Sequence, residues 1–216
     1  MSHKLVYGQS REEFTNETAE AKALLEDLTG EAIAGYRAAS YSITKKSLWA
    51  LDVLCELGFK YDSSIFPIRH DVYGIPDAPT APAPMRTPSG ASIVEFPMST
   101  VDMLGVRVPV SGGGYFRLLP YSLTRAGLKQ LNVRWKRPFV FYLHPWEIDT
   151  GQPRMVSGWL SRFRHYTNIG RCEARLDRLL AEFPFTTMNC VLTDLGLLEQ
   201  PLQNACRGEL VSALDR

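Results

Sequence analysis

Amphipathic helical segments and short apolar runs alternate along most of this 216-residue chain. Apolar residues at helical spacing indicate the helices, and short runs rich in β-branched and aromatic residues indicate the strands. This alternation favours an α/β fold in which outer helices cover a parallel sheet or barrel. In such folds the active-site residues lie at the carboxyl ends of the strands.

The predicted helices carry recognisable start and stop signals. Ser10 and Glu13 form a capping-box pattern, and Gly30 supplies a stop. Thr44 is expected to cap a second helix, which ends at Gly58. The predicted helices span about residues 10–30, 44–58, 121–132 and 171–182.

The segment "RPFVFYLHPWE" is the most apolar of the predicted strands and is typical of a buried parallel strand. The stretch from Pro67 to Pro88 contains six prolines and is expected to be an irregular loop. Gly112–Gly114 is expected to permit a close backbone approach or a bulge. The other predicted strands are "AIAGYR", "FKYDSS", "ASIVEFPMS", "VRVPV" and "FTTMNCVL".

Three polar residues stand at predicted strand ends: Arg37, Asp62 and His144. A histidine in that position can protonate a leaving group near neutral pH, although a core histidine bonded to a carbonyl is the alternative. Arg37 can hold a carboxylate in a fixed orientation or form a structural salt bridge. Asp62 can cap the turn formed with Ser63 and Ser64.

Composition excludes several classes of function. The formal net charge of +1 argues against a dedicated nucleic-acid binder. No apolar run approaches the roughly 20 residues of a membrane span. Without a secretory pattern at the first residues, a cytoplasmic location is expected. The widely spaced cysteines indicate reduced thiols rather than a zinc knuckle or disulfide framework: Cys55, Cys172, Cys190 and Cys206.

Four ordered blocks of the chain closely resemble the polysaccharide deacetylases. They are "AGYRAASYSIT", "GFKYDSSIFPIRHDVYGIP", "GGGYFRLLPY" and "FVFYLHPWEID". The resemblance is greatest to the bacterial branch associated with exopolysaccharide and exosortase loci, and it extends from His3 to about Leu192. It implies a distorted, incomplete (β/α) barrel that lacks its first strands.

The resemblance also implies a reaction. A divalent metal, often zinc, is held by one aspartate and two histidines, and a second aspartate acts as general base on the metal-bound water. The water attacks an acetyl carbonyl on a sugar of an acetylated polysaccharide. A histidine late in the chain acts as general acid, and an arginine orients the base.

Matched motifs assign these roles to residues of this sequence. His144 would be the general acid, Arg37 would orient the base, and Asp62 falls where relatives have an aspartate that tunes the catalytic histidine. His3 would be the second histidine of the metal motif. Ala39 stands where many relatives have proline. Candidates for stacking on sugar rings are Tyr115, Phe116 and Trp146, for which core packing is the alternative role.

The paired aspartates of the family and the first metal-binding histidine have no counterpart in the sequence. A zinc site typically needs three protein ligands, so the site is expected to be incomplete and the chain alone weakly active or inactive. Three explanations could account for the absent motif. The gene start could be miscalled, which is the explanation we favour. The chain could instead be a glycan-binding pseudoenzyme, or one half of a split or oligomeric assembly. An upstream in-frame segment encoding the aspartates and a histidine four residues before His3 would support the first.

The sequence therefore predicts a deacetylase-like catalytic domain over residues 1–192 and a peripheral extension over residues 193–216. The expected activity is hydrolysis of N-acetyl groups on an exopolysaccharide. A non-catalytic glycan-binding or assembly module is the first alternative. Another barrel hydrolase is the second, although no complete alternative triad is present. The polymer, its linkage and the oligomeric state are left open.

Overall fold

The structure, a computed structural model, describes residues 3–70, 72–103, 105–152, 158 and 166–199. The chain divides into two compact units. The first unit comprises Met1–Pro97 and Thr186–Arg216, and the second comprises Met98–Phe185. Searching the described ranges finds no helix with the length and apolar character needed to cross a membrane.

The described residues form a mixed α/β structure with two small sheets and no closed barrel. The predicted α/β class is therefore confirmed, whereas the barrel stays a prediction. The helices are α1 (Arg11–Thr29), α2 (Trp49–Glu56), α3 (Gly113–Leu118), α4 (Tyr121–Lys129), α5 (Cys172–Glu182) and α6 (Met188–Asp194). The strands are β1 (Gly35–Tyr36), β2 (Tyr61–Asp62), β3 (Ala83–Arg86), β4 (Ser92–Glu95), β5 (Thr100–Met103) and β6 (Val106–Pro109).

The first unit contains a four-stranded sheet in the order β1-β2-β4-β3. β1, β2 and β4 run parallel, as the alternating pattern predicts, and β3 is antiparallel to β4. The parallel register pairs Tyr36 with Asp62 and Asp62 with Glu95. These three residues therefore lie in one row at the carboxyl ends of their strands.

Helix α1 begins and ends where the sequence predicts. Ser10 Oγ accepts from the backbone N–H of Glu13, the Glu13 carboxylate accepts from that of Ser10, and Gly30 closes the helix at φ 70°. The ring of Phe14 meets those of Tyr36 and Trp49 edge-on at 5.8 and 5.6 Å. This aromatic contact joins α1, β1 and α2 in the core of the first unit.

Helix α2 begins at Trp49, later than predicted. Thr44 does not cap it, because Thr44 N donates instead to Ser47 Oγ at 2.9 Å. The strand predicted at "FTTMNCVL" is wrong: the segment forms α6, since Thr187 Oγ1 accepts from Cys190 N and caps a helix. The proline-rich stretch is not wholly irregular, because it contains β3.

The second unit is built from the β5–β6 hairpin and helices α3, α4 and α5. After α4 the chain continues in a wider π-helical turn over Gln130–Arg134. The predicted strand "RPFVFYLHPWE" is reduced to one isolated parallel bridge between Tyr142 and Gly112. Pro138 and Pro145 flank the bridge and lack the N–H groups that a longer ladder needs. The core of this unit contains Val101, Leu128, Leu131, Leu179 and Phe183.

The thiol prediction is only partly correct. Cys55 and Cys172 are free, but Cys190 is disulfide-bonded, which corrects the expectation of four reduced thiols. The proposed boundary at residue 193 falls within α6, and residues 200–216 of the predicted extension lie outside the described residues. The extension therefore stays a prediction.

Candidate functional site

Arg37 follows β1 directly and is fixed against the turn after β2. Its Nε donates to Ser63 O at 3.0 Å, and its Nη2 donates to Ser63 Oγ at 2.9 Å. Ser63 Oγ in turn donates to Phe96 O at 2.7 Å. The guanidinium is thus held by the chain that follows β2 and β4, at the edge where the parallel strands end.

Asp62 is fully buried and organises the turn that carries the serines. Its Oδ1 accepts from Ser64 Oγ at 2.6 Å and its Oδ2 from Ser64 N at 3.2 Å. Ser64 Oγ also accepts from Ala38 N at 2.8 Å, which ties this turn to the residue after Arg37. The turn-capping alternative for Asp62 is therefore the observed one, and its buried carboxyl has no surface to offer a substrate.

Glu95 lies beside Asp62 and was missed by the sequence reasoning. Its side chain is 1 % exposed, and its Oε1 accepts from Ile65 N at 3.0 Å. Burial raises its pKa well above the ordinary value, and the adjacent Asp62 carboxyl raises it further. An acidic residue at the end of the apolar run "SIVE" was the available signal, because a buried strand rarely ends on an unpartnered carboxyl.

His144 stands in the second unit, at the start of a 3₁₀ turn formed by Pro145–Glu147. Its backbone N donates to Glu147 Oε2 at 3.2 Å, and its ring Nδ1 lies 3.9 Å from the same oxygen. The imidazole is 55 % exposed. This exposure is at odds with the core-histidine alternative and leaves the ring accessible to a ligand.

A buried ion pair lies next to His144 and holds the turn that carries it. Arg117 Nε lies 3.1 Å from Glu147 Oε1, with the two side chains 2 % and 1 % exposed. The Arg117 guanidinium stacks over the ring of Trp146 at 4.9 Å and donates to Thr167 O at 3.1 Å. Sequence reasoning missed both partners of the ion pair, and nothing in the sequence links Arg117 to a residue thirty positions later.

The triple glycine fixes the segment that leads to His144. Gly113 N donates to Tyr142 O at 3.1 Å, and Tyr142 N donates to Ser111 O at 2.8 Å. A Cβ on Gly112, whose φ is +106°, would lie 2.2 Å from Tyr142 O. The predicted close backbone approach at these glycines is therefore confirmed.

The three aromatic candidates differ in accessibility. Trp146 is half-buried, and its ring stacks on that of His144 with a centroid separation of 5.6 Å. Tyr115 is exposed on α3. Phe116 is buried and packs edge-on against Phe141 at 4.8 Å, so the core role applies and the ring cannot stack on a sugar.

His3 is exposed at the start of the described chain. Across the described ranges, no group of three or more His, Cys, Asp or Glu side chains is placed to hold a metal ion. The donor set that the resemblance implies is therefore not assembled by these residues, and His3 has no partner ligands among them. The structure does bring Arg37 against the turn that Asp62 organises, through Ser63, and His144 against Trp146.

These observations define an α/β protein with polar groups at the carboxyl ends of its parallel strands and an exposed, supported histidine. Residues 63–193 match the family model DUF3473, described as a domain of unknown function. The match covers more than half of the chain, so the chain belongs to the DUF3473 family. No curated protein and no solved structure matches the chain.

Proposed function

We propose that this chain is a polysaccharide deacetylase domain that removes N-acetyl groups from an exopolysaccharide. Membership of the DUF3473 family supports the proposal, since that domain is found in polysaccharide deacetylase-like proteins. The four sequence blocks that resemble deacetylases support it as well. Three of them lie wholly or largely within the matched residues, and the block with Arg37 precedes them.

The observation that carries the proposal is the setting of His144. Its imidazole is exposed, while the residue three positions later is anchored in a buried ion pair with Arg117. A general acid must be both accessible to the substrate and held in one position. In the proposed reaction His144 donates a proton to the sugar nitrogen as the amide bond breaks, because an amine anion is a poor leaving group.

Arg37 has the proposed role of orienting a carboxylate base. Its guanidinium is fixed by two hydrogen bonds to Ser63, which leaves a positive charge with one defined orientation at the strand ends. A planar guanidinium suits a carboxylate because it presents several donors at once. The described residues do not assemble a metal site.

The proposal is tested by mixing an excess of the 216-residue chain with an N-acetylglucosamine oligomer in the presence of added zinc. Mass spectrometry of the oligomer then detects the loss of acetyl groups. We expect slow deacetylation that His144→Ala abolishes. The matched control is His70→Ala, which removes another exposed imidazole that stacks on Tyr73 at 3.9 Å.

A non-catalytic glycan-binding module is the second candidate, because the rings of Tyr115 and Trp146 are accessible and the described residues assemble no metal site. It predicts oligomer binding, measured by calorimetry, with no loss of acetyl groups and no effect of His144→Ala on affinity. That combination would replace the deacetylase proposal. Deacetylation that is equal in the His144→Ala and unmodified chains would contradict the role of His144.

A further inference from the structure

Two carboxyl groups lie side by side under the carboxyl ends of the parallel strands. Asp62 and Glu95 are register partners on β2 and β4, and their side chains are 0 % and 1 % exposed. No solvent reaches either group, so two negative charges here would repel each other in a poorly screened environment.

The hydrogen bonds around the pair leave one acceptor unfilled. Both oxygens of Asp62 accept from Ser64, and Glu95 Oε1 accepts from Ile65 N. Within the described residues, Glu95 Oε2 receives no hydrogen bond from any other group. A buried polar oxygen without a partner is rare and costly. A proton on this oxygen would convert it into a donor to the neighbouring carboxyl of Asp62.

The groups that face the pair are consistent with one retained proton. Tyr36 completes the row on β1, and burial together with Asp62 raises its pKa to about 12, so it stays neutral. Among the described residues, Arg37 is a cation whose charge acts on Glu95. One positive charge beside two carboxyls is balanced when the pair carries a single negative charge.

The same pair is linked to Arg37 through the two serines of the turn after β2. Asp62 fixes Ser64, Ser64 Oγ accepts from Ala38 N, and the adjacent Ser63 accepts both hydrogen bonds from Arg37. The pair is therefore connected to the guanidinium by hydrogen bonds through the turn at residues 62–65.

We propose that Asp62 and Glu95 share one proton as an acid–carboxylate pair and that this pair positions Arg37. The role that a positioned Arg37 would have in deacetylation rests on the proposed function. The proton and the placement of Arg37 are properties of the folded chain and are measured without substrate.

The proton is tested by carbon-13 NMR of the glutamate side chains at neutral pH, with Glu95→Gln to assign the signal. We expect the Glu95 carboxyl carbon at the position of a neutral acid. A signal at the position of an ionised carboxylate would overturn the shared proton.

Linkage supplies a second readout. The folded chain keeps a proton that the unfolded chain releases, so the contribution of Glu95 to stability is present below its unfolded pKa and is lost as the pH rises through its folded pKa. Between the unfolded and the folded pKa of Glu95, the unfolding equilibrium constant of the unmodified chain should rise about tenfold per pH unit relative to that of Glu95→Gln. Parallel profiles for the two chains would contradict the proposal.

The positioning of Arg37 is tested by the NMR signal of its Nε–H, which the hydrogen bond to Ser63 O protects from solvent exchange. Glu95→Gln retains a donor toward Asp62 and should preserve this protected signal. Glu95→Leu removes the donor and should accelerate exchange at least tenfold. The matched control is Asp52→Asn, which alters another buried carboxyl of the same unit, bonded to Ser89.

The control should leave the Arg37 signal unchanged. Equal protection in Glu95→Leu and the unmodified chain would overturn the positioning role, and so would equal loss in Glu95→Leu and Asp52→Asn. Neither result depends on deacetylation, so a failure here is distinguishable from a failure of the proposed function.

Discussion

Arg117 Nε and Glu147 Oε1 form an ion pair at 3.1 Å from which water is almost wholly excluded. Glu147 also accepts the backbone N–H of His144 through its other oxygen. The buried pair therefore connects helix α3 to the turn that presents the candidate general acid. Because two charges are desolvated together, each is stable only while its partner is present.

Removing one charge of this pair should be costly. We predict that Glu147→Gln lowers the free energy of unfolding by about 3–5 kcal/mol, since it removes the carboxylate that faces the buried guanidinium of Arg117. Urea denaturation followed by tryptophan fluorescence measures the change. The double variant Arg117→Met/Glu147→Leu removes both charges and should lose less than the single variant. A single variant as stable as the unmodified chain would show that the pair is not needed.

The glycine pair next to Tyr142 gives a second prediction. Gly112→Ala places a Cβ 2.2 Å from Tyr142 O on a residue with φ +106°. We expect a loss of at least about 1–3 kcal/mol, which is the usual cost of a strained backbone residue. Gly114→Ala is the matched control, because nothing lies within 4 Å of its added Cβ. Thermal unfolding of both variants compares them, and equal midpoints would argue against the close approach.

Tyr36 should be among the last tyrosines to ionise. Burial and the neighbouring Asp62 raise its pKa from 10.0 to about 12. The folded chain therefore keeps a proton that the unfolded chain loses, and this contribution to stability is lost as the pH rises from about 10 to about 12. Tyrosinate absorbance measures the titration, and Tyr36→Phe should remove a late step. Ionisation of Tyr36 near 10 would contradict its buried setting.

Local patterns predicted the fold well where one residue decides the structure. Ser10, Glu13 and Gly30 fixed both ends of α1 through short-range hydrogen bonds. The last predicted strand was wrong because a short-range hydrogen bond also decides that segment. The Thr187 hydroxyl caps a helix, which the apolar run alone does not reveal. Length could not decide between strand and helix for so short a segment.

The candidate site was only partly predictable. Arg37, Asp62 and His144 were visible because polar residues follow apolar runs, and strand ends are where such residues gather. Glu95 and Arg117 were not singled out, because their importance comes from partners distant in sequence. The register of β2 with β4 and the contact of α3 with the His144 turn are tertiary facts that no local pattern contains.

The initial rate of acetate release from an N-acetylglucosamine oligomer tests the central claim most directly. We predict that the rate, measured with added zinc for the 216-residue chain, falls by about 10²–10⁴-fold in His144→Ala, as expected for loss of a general acid. The His70→Ala control should retain the unmodified rate. A measurable rate that is the same in His144→Ala and the unmodified chain would contradict the account, and binding of the oligomer without release from either chain would favour the glycan-binding module.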